Sequence, residues 1–217
     1  MSGFFNYENK FFTAFDKIIN IFCLSLIWLL ACIPIFTIGA ASSALYYTVN
    51  KVIRHGRGYI WREFWSSFKA NFKQGTVIWL LFLLFGLLMG ADWYILKQFE
   101  IAGAAWGKCY AFFIAMILME IMLWLYVYPN IARFENTNKE IVNNSAIMAI
   151  ANLPRTFLMM LILAAICFLT YLLPVVMIFM PATFIWLQNL VMEKIFRKYM
   201  SEEDLAAEEE RNREYFN

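Results

Sequence analysis

The sequence predicts an all-α membrane protein: a polytopic bundle of about six embedded helices, built around two proline-broken hairpins, with amphipathic helices at the interface. Composition is the first reason. Of 217 residues, 62% are apolar and 16% charged, against about 45–50% and about 25% in soluble domains. A soluble fold of this length exposes too large a share of its chain to hide so much apolar surface. A soluble enzyme, a disordered scaffold and a secreted disulfide module are thereby excluded. Four long apolar blocks, at residues 18–49, 75–91, 109–132 and 156–192, are the second reason. The placement of basic residues between them is the third.

A span needs about 20 residues at ~1.5 Å each to cross a ~30 Å hydrocarbon core. The second and third blocks fit one helix each. The first and last are too long for one, and each contains proline: Pro34 in the first, Pro174 and Pro181 in the last. Proline removes a backbone donor and clashes with the preceding turn, so each long block reads as helix, break, helix. The two blocks also echo each other, ending in Lys51-Val52-Ile53-Arg54 and Lys194-Ile195-Phe196-Arg197. A second echo, Ala70-Asn71-Phe72 and Ala151-Asn152-Leu153, precedes a span in each half. Together they suggest a weak internal duplication, with chance likeness between apolar segments as the alternative.

Charge sets the expected orientation. Lys51, Arg54, Arg57, Arg62, Lys69 and Lys73 face only Glu63 between the first two blocks, so that loop is expected inside. Residues 92–108 are neutral and fit outside, while Arg133, Lys139 and Arg155, and then Lys194, Arg197 and Lys198, return inside. Six embedded helices put every basic cluster and both termini in the cytoplasm. Residues 1–200 are expected to form one membrane domain. Residues 201–217 form an acidic cytoplasmic tail of seven acids and two arginines, opened by a capping-box pattern from Ser201 to Asp204. The basic body favours an anionic lipid surface, and no recognition module for nucleic acid accompanies it.

Residues 57–73 read as an interfacial helix. Trp61, Phe64, Trp65, Phe68 and Phe72 recur on one helical face, with Lys69 and Lys73 beside them. Anchoring in the interface, packing under the bundle and docking of a partner helix all fit that face. Phe4, Phe11, Phe12 and Phe15 mark a similar segment at residues 1–17. Close packing is expected at Gly86 and Gly90, and along a ladder of Gly103, Gly107, Ala111 and Ala115, either within the chain or across a homodimer.

Catalytic chemistry is hard to find. There is no phosphate-binding glycine loop, no nucleophile elbow and no metal-ligand spacing, and His55 is the only histidine. The reading is non-enzymatic, without cofactor or metal. Cys23, Cys32, Cys109 and Cys167 sit in or beside apolar runs as small buried hydrophobes, with lipidation at Cys32 as a minor alternative. The polar residues of the spans are Glu120, Asn130, Gln188 and Asn189, and they form the candidate intramembrane site. Glu120 lies midway between Lys108 and Arg133, ~18 Å from either, where an exposed carboxylate is costly. It is therefore expected inside the bundle, with its helix at the centre.

Residues 37–47 (TIGAASSALYY), 64–74 (FWSSFKANFKQ) and 126–137 (YVYPNIARFENT) resemble the YesL-like family of bacterial integral membrane proteins, classed as domain of unknown function 624. The likeness runs over residues 4–199. It implies an all-helical protein of the plasma membrane of Firmicute-type bacteria, often encoded beside carbohydrate ABC transporters and their two-component regulators, with no established activity. The functional expectation is an accessory or regulator, with ABC permease subunits or a membrane sensor as partners besides the bilayer itself. A small-solute transporter or channel built from the duplication is the alternative.

Overall fold

The computed structural model describes residues 10–102 and 108–200, with residues 202, 203, 205, 206 and 210 beyond them. Gly103, Gly107, residues 1–9 and most of the acidic tail, including Ser201 and Asp204, lie outside the described residues. Among the described residues every regular element is helical: α1 (Lys10–Ala31), α2 (Ile38–Thr48), α3 (Ile60–Ala70), α4 (Phe72–Ile101), α5 (Tyr110–Arg133), α6 (Asn138–Ala151), α7 (Leu153–Leu172) and α8 (Met180–Tyr199). The protein is an all-α bundle.

Both expected proline breaks are present. After α1 the chain stops at Pro34 and resumes through a 3₁₀ turn, Ile35–Thr37. The Thr37 hydroxyl lies 2.5 Å from the Ala31 carbonyl and 2.6 Å from that of Pro34, which meets acceptors that the end of α1 leaves open. Between α7 and α8 the second 3₁₀ turn spans Pro174–Ile178. Pro181 lies in the first turn of α8, where a missing N–H costs nothing. Across the two breaks, Ser25 of α1 accepts from the Ala182 N–H at 3.1 Å and donates to the Phe179 carbonyl at 3.3 Å, so α1 caps α8. The second echo also falls at matching places: Asn71 joins α3 to α4, and Asn152 joins α6 to α7.

Helices α4, α5 and α7 are long and apolar enough to cross a membrane. Much of their apolar surface faces outward, as at Leu81, Leu87, Phe112, Phe157 and Phe168, the pattern of a protein solvated by lipid rather than water. The centre of the bundle, however, is α2 and not α5. Gly39 to Tyr46 of α2 are all buried, and α1, α3, α4, α5 and α8 pack around it. The sequence IGAASSALYYT makes this place for itself, because small side chains let neighbouring backbones approach. A π-helical turn, Val49–Arg54, continues α2 towards the basic loop.

Candidate functional site

The closest backbone approach lies where α2 crosses α4. A Cβ added at Gly39 would overlap the Gly75 carbonyl, and one added at Gly75 would lie 2.8 Å from the Ala40 backbone. Only glycine fits on either side. This crossing fixes the start of α4 against the start of α2, and the Trp79 indole donates to the Ile35 carbonyl at 2.7 Å beside it. The Gln74 side chain then donates to the Asn136 carbonyl at 2.7 Å and ties in the loop after α5. Three elements rich in basic residues are thus brought to one end of the bundle.

The core of that end is a buried carboxylate. Glu193 of α8 is 1% exposed. Its Oε1 accepts from the Tyr46 hydroxyl at 3.1 Å. Its Oε2 lies 3.4 Å from Arg133 Nη2 and 3.9 Å from Arg54 Nη1. Arg54 also donates to Asn189 Oδ1 at 3.0 Å. Four chain segments (α2, the π turn, the end of α5 and α8) therefore meet on one acid. The helical face Ile185, Gln188, Asn189, Met192, Glu193 and Phe196 carries both the apolar core and this cluster. Beside it, Lys51 Nζ pairs with Glu63 at 2.6 Å and donates to the Tyr47 hydroxyl at 3.2 Å. His55 Nδ1 lies 2.7 Å from the Asn50 carbonyl, and partial burial holds this imidazole below its ordinary pKa.

A cavity of about 370 Å³ opens against the cluster, lined by Tyr46, Tyr47, Asn50, Lys51, Arg57, Ala132 and Arg133. A wider, more open one of about 860 Å³ shares Tyr47, Ala132 and Arg133 with it. Arg57 reaches the inner cavity from a tight turn. Gly56 and Gly58 on either side of it have φ of 65° and 80°, a region that favours glycine, and the Arg57 N–H returns to the Lys51 carbonyl at 3.0 Å.

Residues 21–93 match the family described as Protein of unknown function, DUF624. That is the family the motifs resembled. No curated protein and no solved structure matches the chain. The DUF624 segment contains the Gly39–Gly75 crossing, Tyr46, Lys51, Arg54 and Arg57, whereas Arg133 and Glu193 lie beyond it. The matched part thus supplies the hub and most of the basic groups, and the rest of the chain supplies the acid that holds them.

The residues singled out from sequence divide. Asn130 is buried and donates to Ser145 Oγ at 2.8 Å, joining α5 to α6. Gln188 is buried and donates to the Leu125 carbonyl, joining α8 to α5. Asn189 belongs to the Arg54 cluster. Glu120 is separate from all three: it lies half-buried between α4 and α5 in an apolar groove lined by Ile78, Phe82, Phe85 and Leu123. Of the expected packing residues, Gly86 faces Glu120, but Gly90 has open space around it and Ala111 and Ala115 are exposed.

The aromatic face of α3 turns largely inward. Phe64 is fully buried in the core, and Trp65 and Phe68 pack against it. A series of edge-on ring contacts, from Trp61 to Trp65 to Phe68 to Phe72, runs the length of the helix. Trp61 and Phe72 at its two ends are exposed, as are Lys69 and Lys73. Phe64 therefore cannot meet lipid, and the surface anchor is confined to the other residues.

Glu193 and Tyr46 were not candidates from sequence, and Arg54 and Arg133 counted only as topology markers. One signal pointed to Glu193: it shares a helical face with Gln188, Asn189 and Met192 rather than with Lys194 and Lys198.

Proposed function

We propose that this DUF624 protein is a non-enzymatic accessory or regulatory partner of a carbohydrate ABC uptake system in the bacterial plasma membrane, with its basic end and both termini in the cytoplasm. The observation behind a non-enzymatic role is the engagement of the interior polar groups. Tyr46, Arg54, Arg133, Asn189 and Glu193 hold helices to one another, and α4 and α5 meet in an apolar groove. A hydrophilic solute would need convergent donors and acceptors along the spans instead. The carbohydrate setting comes from the family resemblance. Exposed Tyr59 and Trp61, at the start of α3 and beside the basic loop, offer a partner its apolar contact.

Affinity purification of the full chain from native membranes, with mass spectrometry, tests this reading. ABC permease subunits or a membrane sensor should co-purify, and Tyr59→Ser with Trp61→Ser should release them. Retrieval of neither class would remove the proposal. A transporter is the second reading, favoured by the matched 3₁₀ turns after Pro34 and at Pro174. Solute flux in proteoliposomes of the purified chain would establish it. Orientation has its own check: a cysteine introduced at Ile178 should label from outside and one at Ser201 should not.

A further inference from the structure

We propose that the contact between α4 and α5 is a binding site for a lipophilic organic cation, with Glu120 as its counter-ion. Two adjoining cavities of about 380 and 270 Å³ meet there, and Phe82 and Glu120 line both. Among the described residues, no other ionisable group lines either. Leu81, Leu87 and Met119 at their rims are exposed, so the mouth opens where lipid covers the helices. Glu120 stands halfway along the span, ~18 Å from Lys108 and Arg133. A carboxylate at that depth is costly unless something pairs with it. Among the described residues neither an ion pair nor a hydrogen bond meets it.

The walls select the kind of cation. A metal ion needs several oxygen or nitrogen ligands, and no group of three acidic, histidine or cysteine side chains suits one among the described residues. A primary amine would leave N–H donors unpaired against apolar walls. A cation whose charge is covered by carbon, such as a quaternary ammonium or phosphonium, needs a counter-charge and aromatic faces instead. Trp79, Phe82, Phe85 and Trp124 supply the faces, and Glu120 supplies the charge. Trp124 has a firm support: its ring lies 5.7 Å from that of Tyr128, which is 2% exposed. Gly86 leaves the carboxylate its room, since a Cβ there would lie 3.0 Å from Glu120 Oε2. The larger cavity is within the range of small-molecule sites. A ligand of this class dissolves in the bilayer and reaches Glu120 sideways, without the polar path that a hydrophilic solute needs. The inference rests on neither functional reading above.

The test uses the full chain in nanodiscs, with empty nanodiscs measured alongside to subtract partition into lipid. Tetraphenylphosphonium is the probe, and tetraphenylborate, of the same shape and opposite charge, is its control. Equilibrium dialysis should show saturable binding of one phosphonium ion per chain and none of the borate. Glu120→Gln keeps size and polarity but removes the charge, and should weaken the phosphonium by about tenfold or more. Its melting temperature should stay parental, which separates loss of the site from loss of the fold. Glu120→Asp, which keeps the carboxylate, should bind more tightly than the Gln variant. Phe82→Leu keeps an apolar wall without the ring face and should weaken binding by about threefold to tenfold, the worth of one cation–π contact. Equal saturation by both ions would mean a groove that is merely apolar, and would overturn the inference. So would unchanged affinity in Glu120→Gln, or no saturable phosphonium binding to the parent. A parent dimer in detergent that Glu120→Leu splits, with no phosphonium bound, would give this face to a second copy of the chain and overturn it as well.

Discussion

The two ends of α5 are built by different rules. Its last two turns, from Leu125 to Ile131, are buried, and Arg133 just beyond them meets Glu193. Its first half is largely exposed, at Phe112, Ile114, Leu118 and Met119, and its one acid, Glu120, has no cation beside it among the described residues. Helix α4 is divided the same way, from Gly75 locked against Ala40 to outward-facing Leu84, Leu87 and Leu88. At the basic end, protein covers protein, and Tyr46, Arg54 and Arg133 find partners in Glu193 and Asn189. In the other half the apolar side chains are left for lipid, and two helices lie side by side with little else to fix them. Stability should therefore concentrate in the basic end, and substitutions of the same chemical kind should differ in effect between the halves.

Removing Glu193 should have the largest effect. Glu193→Ala strips the Tyr46 hydroxyl of its acceptor and leaves Arg133 and Arg54 without their shared anion. Breaking a buried pair from one side costs about 3–5 kcal/mol. Partial exposure of both arginines, at 19% and 26%, allows some rehydration and puts the expected loss near the lower figure. Thermal or denaturant unfolding in mild detergent measures it. The matching Glu120→Ala should cost much less, having no ion pair to break. If the two variants were equally unstable, the division of the molecule would be wrong.

Backbone contact comes next. At Gly75 an added methyl meets the main chain of α2 at 2.8 Å, and a backbone in the centre of the bundle cannot step aside. Gly75→Ala is expected to lose about 1–3 kcal/mol, the range for overpacked cores. Gly90→Ala, on the same helix with nothing within 4 Å, should lose none. The contrast checks the crossing directly by unfolding of the two variants.

How much of this could be read from sequence depended on the range of the cause. Pro34 and Pro174 act on their own turns, so the breaks were legible without knowing what lay nearby. The same holds for the continuous α4 and α5. Glu193 was not legible, because Tyr46 is 147 positions away and no local pattern links them. Periodicity correctly grouped Phe64 with Trp65 and Phe68 but could not say whether their face met lipid or α2. The glycine motif at Gly86 and Gly90 drew attention for its spacing, while Gly39 and Gly75, each alone in its helix's contact, form the tighter crossing.

The basic end should also respond to acid. His55 has its pKa lowered from 6.5, by burial first and by Arg54 and Arg57 to a smaller degree, with the Asn50 carbonyl and Glu193 opposing. Its folded pKa is below its unfolded one, so between the two the unfolded chain binds more protons. Stability is then full above about pH 6.5, declines as pH falls towards the folded value, and changes no further below it. The effect is modest because the ring is only half-buried. Melting temperatures of the parent and His55→Gln from pH 8 to 5 should converge as pH falls. Parallel curves would mean that His55 does not titrate differently on folding.

The smallest effect belongs to the loosely covered half. A methyl added at Gly86 would lie 3.0 Å from Glu120 Oε2 and 3.3 Å from Oε1, close enough to push but against the mobile end of a side chain. Alanine also gains up to about 1 kcal/mol over glycine inside a helix, so Gly86→Ala alone should be near neutral. Once Glu120→Ala has removed the carboxylate, the same methyl meets nothing and only the helical gain remains. The double-mutant cycle should therefore show a coupling of about 0.5–1 kcal/mol, with Gly86→Ala more favourable in the Glu120→Ala background than in the parent. Strict additivity, within about 0.3 kcal/mol, would mean that the carboxylate does not rest on Gly86. The α4–α5 pair would then owe its alignment to the buried packing of Ile78 against Val127, Tyr128 and Ile131.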